Sequence, residues 1–236
     1  MIDTEKMRSI AADMGIALEG KMLTQLDTYA RLLTEKNKVM NLTRIEDADG
    51  IVVKHFADSL TLLTSCDIPL GASLIDVGTG AGFPGMVLSI ARPDLSVTLL
   101  DSTKKRLDFL LETAAEIGVT VAAAHFRAED AGRSPSMRER YDVVCARAVA
   151  RLSVLAEYCL PLCAVGGVFI SMKGPAGEVE AAEAARAVGL LGGVTREARE
   201  LVLPDGSERT IIVIDKTKRT GGGYPRPQAK IKAMPL

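Results

Sequence analysis

No apolar run in this 236-residue chain approaches the roughly 20 residues that cross a bilayer, and the polar start MIDTEKMRS lacks the apolar core of a signal peptide. Both absences point to a cytoplasmic protein with no membrane partner. Cysteine is scarce and unpatterned. Cys66, Cys145, Cys159 and Cys163 contain no C-x-x-C, so buried thiols are expected rather than disulfides or metal ligands, and no metal site. Charge of one sign is also missing: the formal net charge is −1 and the pI about 6.2. That excludes the uniform basic field many nucleic-acid binders carry, and any contact with a polyanion has to use local patches. The remaining composition, 47% hydrophobic and 25% charged, is ordinary for a globular chain and suits one catalytic domain plus an accessory segment.

What is present is concentrated in Leu74 to Gly85, LIDVGTGAGFPG, where a short apolar strand ends in an acid and runs into a glycine-rich turn and a helix start. Residues without a side chain leave the backbone approachable by a small ligand, and Pro84 suits a first helical turn. Gly80, Gly82 and Gly85 satisfy G-x-G-x-x-G, and Asp101 ends the next strand at the offset of a ribose-binding acid, which would suit NAD. However, a pyrophosphate wants no anion beside the helix N-terminus, and Asp76 stands immediately before the glycines. D-x-G-x-G-x-G from Asp76 to Gly82 fits a cationic ligand better, and S-adenosylmethionine carries an ammonium and a sulfonium but no phosphate.

Residues 1–65 read as a helical segment packed on the core. Met22, Leu26, Tyr29, Ala30 and Leu33 form one apolar stripe with Lys21, Asp27, Arg31 and Glu35 left for solvent. NLT at 41–43 interrupts the pattern, and helix resumes from about Asp47 through KHFADSL. From 66 to 219 short β-rich runs alternate with helical stretches: 74–77, 97–101, 119–124, 141–145 and 168–172. Near-continuous apolar runs of this kind belong to a parallel sheet buried on both faces. The last two runs, 200–203 and 210–215, are joined by Pro-Asp-Gly-Ser, a hairpin signal, so an antiparallel hairpin should close the sheet. Residues 220–236, GGGYPRP and beyond, are expected to be a flexible basic tail.

Asp76 to Gly85, LLDS ending at Ser102, RAED at 127–130, CARAVA at 145–150, and the upstream NLT and KHFADSL occur in one order. That set resembles the ribosomal RNA small subunit methyltransferase G (glucose-inhibited division protein B) family over about 41–173. The resemblance implies a class I, Rossmann-like α/β methyltransferase with a mostly parallel seven-stranded sheet. It also implies methyl transfer from S-adenosylmethionine to N7 of one guanosine of 16S ribosomal RNA, free or in a small-subunit particle; the chain itself is expected to be a monomer. Gly78 and Gly80 would admit the cofactor, and Asp101 would accept its ribose hydroxyls. Ala128 and Glu129 would hold the adenine, and Arg147 would match the family's cofactor-site arginine. Asp76 would orient the turn and the methionine ammonium, or cap the turn amides, and Phe83 would be a cavity wall or core.

Guanine N7 carries a lone pair and no proton, so displacement at a sulfonium methyl needs no general base, and no catalytic residue is assigned. N-P-P-Y and Pro-Cys signatures are absent, in keeping with this chemistry. Candidates for gripping the RNA are Asn41, Arg44, His55, Arg151 and Lys173. Asn41 and Thr43 would otherwise cap a helix, and His55 and Asp58 would form a local pair. Basic clusters at 31–44, 133–151 and in the tail from Lys216 raise the prospect of an anionic partner, with the tail supplying sequence-independent phosphate attraction. Other readings are a class I methyltransferase on a different substrate, a ribosome-associated binding protein, and an NAD-dependent dehydrogenase.

Overall fold

Ser73–Val77 (β1), apolar but for Ser73 and Asp76, lies near the middle of a seven-stranded sheet, as its burial on both faces requires. The computed structural model describes residues 1–236 and gives the strand order β3-β2-β1-β4-β5-β7-β6. The other strands are β2 (Ser96–Asp101), β3 (Ala122–His125), β4 (Tyr141–Arg147), β5 (Cys163–Lys173), β6 (Gly193–Val202) and β7 (Glu208–Lys216). Strands β1 to β5 pair in parallel, with Leu74 opposite both Val97 and Val143, whereas β7 runs antiparallel to β5 and to β6. Chain order reverses between β1 and β4. Connections therefore leave in opposite directions there and open a crevice at the C-terminal ends of the strands.

Two expected strands are displaced. Val119 and Val121 pack half-buried against the core, and the outermost parallel strand is instead the alanine-rich 122–125, held by Thr98 opposite Ala122. Strand β6 starts seven residues earlier than its apolar part suggests, because it lies on the sheet's edge with much of TREARE exposed.

Helices α1 (Thr4–Asp13) and α2 (Gly20–Met40) lie over one face. The stripe of α2 inserts Leu26, Tyr29 and Leu33 into the same core cluster as Leu74, Val97 and Leu107. Gln25, also on the buried side, donates to Ile117 O at 2.8 Å. Asp27, expected in solvent, is half-buried and accepts from Ile2 N at 2.7 Å. Asn41 ends α2 in the left-handed conformation at φ 49°, one of the few non-glycine types that tolerate it. From 48 to 64 the chain is helical throughout, but Ile51–Ala57 is a seven-residue π-helix.

The expected flexible tail is instead seated on the body. Arg138 donates to Thr220 O, Gly221 O and Tyr224 O, and Arg133 to Pro225 O. Arg226 forms a bidentate pair with Glu157, whose side chain is fully buried. Helix 228–233 then packs its Ile231 beneath the helix Leu152–Cys159. Lys216, buried and pushed down to about 8 by burial, donates to Leu160 O and Leu191 O. Four of the arginines and lysines expected in RNA-binding patches therefore hold the tail or the sheet edge. Deleting one partner of a buried pair leaves an uncompensated charge. Glu157→Ala should accordingly cost about 3 kcal/mol in urea denaturation and expose the chain beyond Thr220 to limited proteolysis, with Glu183→Ala as the exposed-acid control.

Candidate active site

A crevice of about 460 Å³ opens above the C-terminal ends of β1 and β2 and is bounded by the glycine turn, Phe83, Asp101, Ala128, Glu129, Arg147 and the loop 148–149. Its size lies within the range typical of small-molecule sites.

The turn divides its glycines between two tasks. Gly80, at φ +59°, would present an added Cβ to nothing nearer than Gly78 O at 3.8 Å, so its outer face is open. Gly82, at φ +100°, is where α2 presses in: its Cβ would fall 2.7 Å from Leu110 and 2.8 Å from Met86, beside the Tyr29 hydroxyl. The literal G-x-G-x-x-G match therefore mixes a ligand-facing glycine with packing ones. Gly78 lies under Val149, whose Cγ2 would stand 2.8 Å from an added Cβ.

Asp76 has no exposed surface and does not line the crevice. Its Oδ2 accepts from Thr79 Oγ1 at 2.7 Å and Gly85 N at 2.9 Å, so it caps the turn from beneath. Oδ1 is buried with no hydrogen-bond partner. Burial pushes this carboxyl up to about 6, against the opposing pull of Thr79, Gly85 N and Arg147. Asp101 lines the crevice, accepting from Gly80 N at 3.0 Å and Thr103 N at 2.8 Å, with Arg106 3.6 Å away.

At the far wall Arg147 lies with its guanidinium 5.0 Å from the Phe83 ring centroid. It donates to Asp58 Oδ2 at 2.8 Å and to Lys54 O at 3.2 Å, while Arg209 donates to Asp58 Oδ1 at 3.0 Å. Arg147 Nη2 also lies 3.3 Å from His55 Nδ1, and His55 Nε2 is 2.8 Å from Thr43 Oγ1. With a donor at Nδ1, the imidazole proton belongs on Nε2, pointing at Thr43. Burial first, and then Arg147, push His55 down to about 3, so it is neutral. Its ring stacks on Phe83 at 4.3 Å. The π-helix supports this arrangement, since its wider turn sets Lys54 O, His55 and Asp58 around one guanidinium, and such segments recur at functional sites. The expected His55–Asp58 pair is thus bridged by Arg147 rather than direct. Phe83 is both core and wall.

A second cavity of about 530 Å³ shares His55, Arg147, Ala148 and Val149 with the first and continues over the ends of β4 and β5. Arg151 and Lys173 line it, together with Lys54, Asp58, Glu180 and Arg209. Asn41 lines neither cavity and Arg44 is an exposed side chain nearby, although their neighbours Leu42 and Thr43 face the first. Sequence reasoning missed Tyr158, whose buried hydroxyl has no protein partner, and Gln228 from the tail; both line the first crevice. An apolar-helix tyrosine and a tail glutamine carry no signal in the sequence.

A family model described as rRNA small subunit methyltransferase G matches residues 22–210. Proteins named ribosomal RNA small subunit methyltransferase G are similar over nearly the whole chain. That of Pelotomaculum thermopropionicum is 46% identical over 234 residues, 98% of each chain. That of Lactobacillus johnsonii is 47% identical over 229 residues, 95% of this chain and 96% of the other. Among solved structures, the YcgJ protein of Bacillus subtilis aligns with a TM-score of 0.54 at 13% identity, over 70% of this chain and 100% of that one. The 16S rRNA (adenine(1408)-N(1))-methyltransferase of Catenulisporales acidiphilia aligns at 0.53 and 16%, over 66% and 87%. At these identities the likeness speaks for the fold alone.

Asp76 supplies the pH test of the crevice. A cation bound nearby favours the ionised carboxyl, so its affinity should fall as pH drops through about 6. Calorimetry with S-adenosylmethionine should show about tenfold weaker binding at pH 5 than at pH 7.5, and Asp76→Asn should bind more weakly with most of that dependence gone.

Proposed function

The chain belongs to the rRNA small subunit methyltransferase G family, and we propose that it transfers a methyl group from S-adenosylmethionine to N7 of one guanosine in 16S ribosomal RNA. It works as a monomer in the cytoplasm. The observation that carries the reading is the pair of cavities meeting at Arg147–Val149, because methyl transfer needs donor and acceptor sites that open on each other across one wall.

The residues present fit the cofactor. An open glycine face, a buried carboxyl with an unpaired oxygen beneath it, a strand-end carboxylate and an unpartnered tyrosine hydroxyl are the groups a sulfonium nucleoside can use. When bound, that cofactor supplies an electrophilic methyl group. Asp101 accepts ribose hydroxyls, Gly80 admits the methionine portion against the backbone with Gly78 beside it under Val149, and Ala128 and Glu129 bound the adenine end. Arg147 is held by Asp58 at 2.8 Å, a carboxylate it shares with Arg209, so the wall carries one net positive charge. His55 is neutral and, with Phe83, walls the space where the acceptor meets the donor. None of these groups has to move a proton. Guanine N7 attacks through its own lone pair, so the enzyme's contribution is alignment and exclusion of water. The target base has to leave its stack to enter the second cavity, where Arg151 is exposed at the rim and Lys173 is buried in the wall. No helix is long and apolar enough to cross a membrane.

Mass analysis of 16S ribosomal RNA from a strain lacking this protein tests the proposal. One 7-methylguanosine should disappear, return with the wild-type chain, and return incompletely with Asp101→Ala, whose KM for S-adenosylmethionine should rise about ten- to a hundredfold. Persistence of every 7-methylguanosine in the deletion strain would exclude the reading.

A further inference from the structure

The second cavity contains two carboxylates. Both oxygens of Asp58 are taken, by Arg147 and by Arg209. Glu180 is different. Its Oε2 accepts from Leu152 N at 2.8 Å and from Lys173 Nζ at 2.8 Å, which pins the side chain between a helix start and the end of β5, while Oε1 engages no donor in the protein. Lys173 is itself tied to Ala150 O. The free oxygen belongs to a carboxylate held from two sides and lining the cavity on the part not shared with the cofactor crevice. Burial pushes Glu180 up, but Lys173 and the Leu152 N–H outweigh it and hold the carboxyl below the usual range, so Oε1 is an acceptor.

A purine presented for attack by N7 has to turn its Hoogsteen edge toward the shared wall, which leaves its Watson–Crick edge facing away from the cofactor. In guanine that edge offers N1–H and N2–H donors; in adenine it offers an acceptor at N1. An anionic acceptor fixed on the far side welcomes the first and repels the second. Resting on the methyltransfer reading above, we propose that Glu180 Oε1 reads the Watson–Crick edge of the target guanine and is the specificity-determining group of the base pocket. Lys173 is then a positioning residue, acting through Glu180.

The test uses the full chain and small-subunit particles reconstituted with 16S ribosomal RNA carrying guanosine or inosine at the target. Inosine keeps N7 and N1–H but lacks the N2 amino group. The wild type should methylate inosine with kcat/KM ten- to a hundredfold below guanosine, the loss expected of one hydrogen bond to a charged acceptor. E180Q keeps an amide oxygen for Leu152 and Lys173 and turns an NH2 toward the base. It should lose activity on guanosine while the guanosine-to-inosine ratio narrows to below about threefold, with the S-adenosylhomocysteine Kd unchanged. E180D, which withdraws the carboxylate by one methylene, should narrow the ratio as well if E180Q fails to fold. An unchanged ratio in both variants, or a wild type indifferent to the N2 amino group, overturns the proposal. A wild type inactive on guanosine as well would remove the methyltransfer reading, and this one with it.

Discussion

A carboxylate with no exposed surface holds the end of the first strand to the start of the first core helix, and the ligand crevice exists because of it. Asp76 Oδ2 takes the Thr79 hydroxyl and the Gly85 N–H together, spanning the glycine turn in one step. Its folded value near 6 lies above the ordinary aspartate value, so keeping it ionised at neutral pH costs about 3 kcal/mol. The penalty is absent at low pH, so the stability margin it removes is present there and lost as pH rises through about 6, the reverse of a salt-bridged acid. The chain tolerates the cost with one oxygen left unpaired. A turn needing only a cap could use both oxygens or a neutral asparagine. An ionisable group held half-satisfied at the base of the turn is instead a source of negative field beneath the crevice.

The opposite wall follows another rule. Arg147, Asp58 and Arg209 come from three distant parts of the sequence, and each bond fixes one part against the others: 58 to 147 joins the N-terminal helices to β4, and 58 to 209 joins them to β7. Asp58 is almost wholly buried, and a carboxylate so placed persists only with full hydrogen bonding. Two arginines give it that, and they also make the N-terminal segment part of the site rather than an appendage. His55 and Phe83 then stack between the two structures, so the crevice is closed on that side by residues from both.

The parallel strands were legible because apolar runs buried on both faces have few other fates, and the acid–glycine turn because its chemistry is local. Asp101 was read from its strand end and Phe83 from the family resemblance, and both line the crevice. What escaped was set by partners far away. Val119 and Val121 have the stronger β-preference, yet 122–125 forms the strand, since pairing with β2 decides what local preference cannot. The π-helix is invisible in KHFADSL, and with it the gathering of His55 and Asp58 around Arg147. Basic clusters were half legible: an anionic partner agrees with a family named for ribosomal RNA, but several of the cations serve the fold instead. A run of charge shows only that cations are present, and Arg133, Arg138, Lys216 and Arg226 turn out to face carbonyls and a buried glutamate.

The same distinction explains the tail. A segment rich in glycine, proline and lysine has the composition of a linker, but composition states what a chain can do without partners. Here Glu157, inside an apolar helix, has no hydrogen-bond donor from its own helix, and a carboxylate taken out of water needs a partner. Arg226 answers that need, and docking it carries Gln228 to the rim of the cofactor crevice beside the unpartnered Tyr158 hydroxyl. One buried acid in the middle of the chain therefore helps fix where the last eleven residues lie, and through them which tail side chain lines the crevice.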